Sequence, residues 1–300
     1  MKKFTGSIIL LFLCAAAHAQ QDPLYAQYLN NPFLINPAYA GSINMLTASV
    51  QYRTQWAQFA GNPVTVAATA HMPMIEKKMG LGFQLIEDRI GESRNTEFNA
   101  AYSYKLNLKN SVLSFGLQAG LIQFSNNPDD LNIFDPDDPN FFPYSEIKFN
   151  TGVGLLITSD KYLMSISVPR LLPATVSQGG DPIEVYNRNV YLMGAYLMPL
   201  TEKIRFKPSV LLRYAANNPI SADVNASLVM LDTYSAGLFT RNFNTYGVLM
   251  NMRFKKFYFG YVFELPTNQS VGTNFTTHEV MIGFRFKALN FHDPLTINNF

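Results

Sequence analysis

The chain has 300 residues, of which 15% are charged and 14% are aromatic, and its 23 basic side chains nearly balance its 21 acidic ones. A soluble domain has about a quarter of its residues charged, so this composition is poor in charge and rich in rings. The near-neutral total gives no support to a nucleic-acid-binding protein. Beyond the N-terminal region, no apolar run approaches the roughly 18 residues of a membrane-spanning helix, so a membrane protein made from this chain must be a β-barrel.

The N-terminus has the pattern of a secretory signal peptide. Two lysines precede an apolar run, and Ala17-His18-Ala19 is a small-residue cleavage motif. We therefore expect residues 1–19 to be removed and the mature chain to leave the cytoplasm. Cleavage also removes Cys14, the single cysteine. The mature fold must then be held by something other than disulfides, such as closed strand pairing.

The next segment, residues 20–43, contains three prolines and several asparagines and lacks strand alternation. It is more aromatic than a flexible leader would be. We therefore expect an ordered segment that either lies in the periplasm or plugs the lumen of a barrel. Its rings Tyr25, Tyr28 and Tyr39 are candidate partner-binding residues.

Residues 44–287 alternate between apolar and polar positions along nearly their whole length. Successive side chains of a strand point to opposite faces, so each segment has one apolar and one polar face. We predict an all-β fold, a transmembrane antiparallel β-barrel of about 14 strands, an even number as single-chain outer-membrane barrels require. The predicted strands are 44–55, 62–72, 79–88, 93–107, 111–124, 147–158, 161–169, 189–198, 204–214, 220–231, 233–241, 245–254, 257–264 and 277–287.

The predicted connections differ in length between the two ends of the barrel. The long ones, 125–146, 169–188 and 265–276, all fall at one end, and tight turns fall at the other. Bacterial barrels have short turns in the periplasm and long loops outside, which predicts the topology. Residues 288–300 would then form a C-terminal periplasmic tail.

The alternation also assigns the two faces of each strand. Leu117 is predicted to face lipid, whereas its neighbour Gln118 is predicted to face a polar lumen, so arginine should be costly at Leu117 and tolerated at Gln118. The glycines at 80, 82, 152 and 154 are interpreted as lumen positions where space is needed rather than as phosphate loops. A soluble sandwich is the alternative, but fourteen apolar faces exceed what one soluble core can bury.

Catalytic and metal-binding patterns are missing from the sequence. The histidines of the mature chain, His71, His278 and His292, are scattered, and His71 is interpreted as a structural, hydrogen-bonded histidine rather than a general base. We therefore expect no enzyme activity, no cofactor and no metal, with an outer-membrane hydrolase as the least favoured function.

An acidic loop, residues 125–146, is the most distinctive connection. Its aspartates lack the regular spacing and the closing glutamate of a calcium loop, so a solvated acidic loop is favoured over a calcium site. Three rings follow the acidic residues, and exposed rings beside charges are a common interface composition. Phe141, Phe142 and Tyr144 are therefore candidate contacts for another protein.

Several sequence blocks closely resemble the PorP/SprF family of outer-membrane proteins of Bacteroidota, which is linked to type IX secretion and gliding. The resemblance covers essentially the whole mature chain, and the blocks are specific in combination. They are QDPLYAQYLN at 21–30, NPAYAG at 36–41, YRTQW at 52–56, GNPVT at 61–65, GLGF at 80–83, DRIG at 88–91, LSFGLQAG at 113–120 and SISVP at 165–169.

The resemblance implies a non-enzymatic barrel in outer-membrane lipid. It implies two possible roles, working with periplasmic components of the secretion apparatus, or holding a secreted adhesin or similar cargo at the surface through its C-terminal domain. The leading hypothesis is therefore an anchor or scaffold for such partners. The alternative is a passive channel or solute transporter, because the basic residues on the predicted lumen face outnumber the acidic ones.

Overall fold

The computed structural model describes residues 25–74, 78–128, 138, 142–178, 181–216, 218–267 and 275–289. Alternating β-branched, aromatic and polar residues form long strands, as their pattern predicts. In chain order the strands are β1 (Leu46–Thr54), β2 (Val64–Met74), β3 (Met79–Ile90), β4 (Ser93–Asn107), β5 (Val112–Asn126), β6 (Tyr144–Thr158), β7 (Tyr162–Val168), β8 (Ala174–Gln178), β9 (Asp181–Tyr186), β10 (Asn189–Tyr196), β11 (Met198–Pro199), β12 (Ile204–Ala215), β13 (Ser221–Met230), β14 (Tyr234–Arg241), β15 (Thr245–Phe254), β16 (Phe257–Pro266) and β17 (Thr277–Phe286).

Fourteen of these strands form a closed antiparallel barrel, which confirms the predicted fold class. Each barrel strand pairs with its neighbours in chain order, and β17 pairs with β1 to close the sheet. Because β8, β9 and β11 are not barrel strands, β7 pairs with β10, and β10 pairs with β12. The two-residue β11 pairs with the start of β12, while β8 and β9 form a separate hairpin. Closure leaves no terminal strand in the sheet, although β7 pairs only with residues 153–158 of β6.

The long connections all lie at one end of the barrel, as predicted. We call this the long-loop end; its connections include 55–63, 127–143, 169–188 and 267–276, together with two tight turns at 91–92 and 242–244. The opposite, short-turn end carries the connections 108–111, 159–161, 197–203, 231–233 and 255–256. The predicted topology places the long-loop end at the cell surface and the short-turn end in the periplasm.

The two faces of the wall follow the predicted alternation. Leu117 is 59% exposed on the outside, whereas Gln118 is 4% exposed on the inside. Other large apolar side chains exposed on the outside include Phe83, Phe98, Phe149, Met164, Leu238, Met250 and Ile282. Aromatic side chains are also exposed near the strand ends, such as Tyr104 and Phe257 at the short-turn end and Tyr214 at the long-loop end. This outer surface suits contact with lipid.

The hairpin of β8 and β9 lies within the long connection 169–188 and was not anticipated from the sequence. Its residues Ala174, Val176 and Tyr186 pack against Ile122 and Phe124, near the long-loop end of β5. Ile122 and Phe124 point inward, so the hairpin folds over the mouth of the barrel. Among the described residues, no helix is long and apolar enough to cross a membrane.

Candidate functional site: the plugged lumen and its rim

Residues 25–43, which we call the plug, lie inside the barrel. The sequence left two positions open for this segment, the periplasm and the lumen, and the structure shows it in the lumen. Three single-turn 3-10 helices follow one another, Gln27–Leu29, Pro32–Leu34 and Pro37–Tyr39. Proline begins the second and third, where its fixed φ suits a helix start, and the Asn36 side chain caps the third by accepting from Ala38 N at 2.8 Å.

The plug runs down the lumen from the long-loop half to the short-turn end. Near its beginning, Ala26 N and Gln27 N donate to the carboxylate of Glu279 at 2.8 and 3.0 Å. At its other end, the Ser103 hydroxyl donates to Ala40 O at 2.7 Å. Backbone groups that have no sheet partner are thus satisfied by polar side chains of the wall, as burial requires. Further wall contacts of the plug come from Ser49, Thr69, Gln84, Lys105, Ser167 and Asn251.

A buried charge network surrounds the attachment point at Glu279. Arg53 bridges two carboxylates, with Nη1 2.8 Å from Glu264 and 2.9 Å from Glu279. Arg241 joins the same network, at 2.9 Å from Asp223 and 3.5 Å from Glu264. All of these side chains are buried. Breaking a buried pair from one side leaves an uncompensated charge, so the network fixes the wall around the plug.

Glycines on the inner wall allow the plug backbone to approach closely. A Cβ atom on Gly116 would lie 2.0 Å from Ala38 N, and one on Gly154 would lie 2.0 Å from the Asn36 side-chain oxygen. Both positions therefore require a residue without a side chain. The sequence interpretation of glycines 80, 82, 152 and 154 as space-making lumen positions is confirmed. Three of them make room for the plug, and Gly152 makes room for the loop after β7.

His71 is a structural residue of the plug site. Its Nδ1 accepts a hydrogen bond from Gly41 N at 3.1 Å, and the rings of Phe33 and Tyr39 lie 5.2 and 5.7 Å from its ring. It is 3% exposed. The structural role predicted for this histidine is confirmed, because its buried ring accepts a hydrogen bond from the plug and packs against two plug rings.

The three plug tyrosines proposed as partner contacts are buried inside the barrel. Tyr25, Tyr28 and Tyr39 are at most 8% exposed. Burial raises the pKa of Tyr39 to about 12, so its phenol stays neutral. The geometry gives these rings a packing role between plug and wall, and a partner would reach them only if the plug moved.

The long-loop rim contains the remaining candidate residues. Tyr144 is half-buried and packs on the cluster formed by the hairpin, whereas Phe142 is 51% exposed. Phe141 and the aspartates at 129–137 lie outside the described residues, as does any calcium site formed by them. Below the hairpin, Arg170 pairs with Glu97, and its guanidinium lies 4.5 Å from the centre of the Tyr186 ring.

The comparison with protein families decides the identity of this plugged barrel. The family described as type IX secretion system membrane protein PorP/SprF matches residues 17–284. The chain belongs to the PorP/SprF family. As a member with an outer-membrane barrel fold, it is localised in the cell outer membrane, and its partners lie within the type IX secretion system. No curated protein matches the chain significantly.

Two solved barrels share the fold with this PorP/SprF member. A Pseudomonas aeruginosa FadL homologue has a TM-score of 0.51 at 8% identity and covers 84% of this chain and 93% of its own. The P. putida toluene transporter TodX has a TM-score of 0.50 at 8% identity, with coverage of 86% and 95%. At this identity the likeness shows the barrel fold alone.

Sequence reasoning missed some parts of this site. The pairing of Arg170 with Glu97 joins a loop to a distant strand, which alternation along one strand cannot reveal. Arg241 was also not singled out, although it falls at an inward position of β14 by simple counting, and that signal was available. The role of Glu279 as acceptor for the plug backbone depends on the path of residues 25–43, for which the sequence has no periodic pattern.

Proposed function

We propose that this protein is a non-conducting scaffold of type IX secretion that binds protein partners at its two ends. The observation that carries the proposal is the plug. A lumen filled by the chain's own backbone and anchored by buried charges suits a rigid support for other proteins. It does not suit a passage for solutes.

The contacts of the plug argue against the alternative of a passive channel. Its backbone is hydrogen-bonded to wall residues in both halves of the lumen, and it packs closely against wall glycines such as Gly116. Some of the basic residues whose excess suggested an anion-selective pore have partners: Arg53 pairs with Glu264, and Lys105 donates to Gly41 O of the plug. Opening a path would require breaking several buried polar contacts together.

The long-loop end is the proposed surface for a secreted protein. Phe142 is exposed there, two residues before Tyr144, which packs on the hairpin cluster, and exposed rings often supply the dominant energy of an interface. Five aspartates precede it in the sequence between residues 129 and 138. The short-turn end then faces periplasmic components of the secretion apparatus.

Copurification from native membranes tests this arrangement. Deleting residues 130–143, or changing Phe142→Asp, should reduce the cargo recovered with the barrel at least tenfold, while the amount of barrel in the outer membrane stays constant. Phe243→Asp is the matched control, because Phe243 is a 71% exposed ring on a tight turn at the same end. Unchanged cargo in both loop variants would refute docking at the loop.

Conductance of the purified protein in planar bilayers tests the other half of the proposal. We expect no steady ionic current, because the plug fills the lumen. Unplugging through Glu279→Ala should produce current or open-channel noise if the plug is what closes the path. A steady current through the unmodified protein would contradict the scaffold and favour the channel.

A further inference from the structure

A cavity of about 70 Å³ lies inside the barrel beside the plug, at the short-turn end. Four cationic side chains line it on β12, β15 and β17, namely Arg205, Lys207, Arg253 and Arg285. One carboxylate lines it among the described residues, Asp232 of the turn 231–233, and this carboxylate pairs with Arg205. The cavity therefore has about three positive charges in excess.

Three of these cations have no anionic partner in the described part of the chain. Lys207 is 8% exposed, and its ammonium makes no hydrogen bond to any described residue. The buried Nε of Arg285 has no acceptor among these residues, and its guanidinium lies 5.0 Å from the centre of the Tyr258 ring. Charges removed from water are costly unless they are paired, so this arrangement is incomplete as it stands.

The charges also act unfavourably on one another. Lys207 experiences repulsion from both Arg253 and Arg205. The other polar groups of the lining are neutral, and include the amides of Asn30 and Asn251. The upper lumen differs in this respect, since Arg53, Arg170 and Arg241 each have a carboxylate partner. A bound anion would supply the missing counter-charge.

We propose that this cavity binds a phosphate group, free or as a phosphate monoester, that enters from the short-turn end. A dianion matches three excess charges better than a single carboxylate, and arginine forks suit its oxygens. The cavity volume is several times the roughly 10–15 Å³ that one bound water needs, so it has room for a small polyatomic anion. Exposed Lys203, Lys255 and Lys256 on the neighbouring turns raise the local concentration of anions.

Titration calorimetry on the full-length mature protein in a neutral detergent tests the site. Inorganic phosphate and glycerol phosphate serve as probes, with acetate as the comparison at equal ionic strength. We expect saturable binding of at least one phosphate probe and none of acetate. Binding of both probes would assign the site to the phosphate group alone, whereas binding of glycerol phosphate alone would assign it to a monoester.

Variants then locate the binding. Lys207→Gln and Arg253→Gln should each raise the dissociation constant at least tenfold, because each removes a charge-assisted contact. Lys109→Gln is the control, a basic residue exposed at the same end in the connection 108–111, and should change the dissociation constant less than twofold. Absence of saturable phosphate binding by the unmodified protein overturns the proposal whether or not the variants fold. Equal loss in the control, or no loss in the two lining variants, overturns it as well.

Discussion

Adding one methyl group to the inner wall should displace the plug. In Gly116→Ala the new carbon would lie 2.0 Å from Ala38 N and 2.4 Å from Ala38 Cα, both of them backbone atoms that cannot rotate away. Normal contact lies near 3.4 Å, so the plug must shift by more than 1 Å. Overpacking of this kind costs about 2 kcal/mol, which lowers the melting temperature by roughly 3 °C for a chain of this size.

Gly194→Ala is the matched control for this prediction. Gly194 also lies in a barrel strand, but a methyl group there would meet a single atom, Val210 Cγ1, at 3.8 Å. The two variants can be compared by heat-modified mobility on gels and by the rate at which protease cleaves the plug. Equal melting temperatures and equal plug cleavage would refute the close packing of plug and wall.

Three further predictions follow from the wall and its charges. Leu117→Arg should reduce the folding yield, with a cost of about 2–4 kcal/mol near mid-membrane. The same change at Leu231, on a short turn, should cost about 0–1 kcal/mol. Equal yields would contradict the membrane depth assigned to these two residues. Glu279→Ala should cost about 3 kcal/mol or more and expose the plug to protease, because it removes both backbone contacts of the plug and one partner of Arg53. The control Glu87→Ala, from an exposed pair with Arg94, should cost under about 1 kcal/mol. Similar melting curves for the two variants would count against Glu279 as the anchor of the plug. A single cysteine at Phe142 should react with an impermeant reagent on intact cells and one at Asn110 should not, and the reverse result would invert the topology.

Polar lumen positions show where sequence reasoning about the wall reaches its limit. Alternation correctly assigns Gln118 to the inside, and from this we expected arginine to be tolerated there. In the structure Gln118 is buried and donates to Pro169 O at 2.8 Å, in the loop that follows β7. An arginine would have to displace that loop, so from the structure we expect Gln118→Arg to be destabilising rather than tolerated.

The sequence by itself determined the barrel. Its strands, their number, the two faces and the separation of long from short connections all follow from local patterns, because side chains of a strand alternate with period two whatever lies beyond the wall. The composition and the blocks that resemble the family are likewise properties of the sequence alone.

Tertiary structure alone decided what fills the barrel. A polar residue facing inward has the same pattern whether its partner is water, as in an open pore, or the plug backbone, as for Ser103 and Glu279. The plug has no period of its own, since its hydrogen bonds go to side chains from many strands that are distant in sequence. Its path, the hairpin over the mouth and the cluster of cations around the short-turn cavity therefore depend on which strands closure of the barrel brings together.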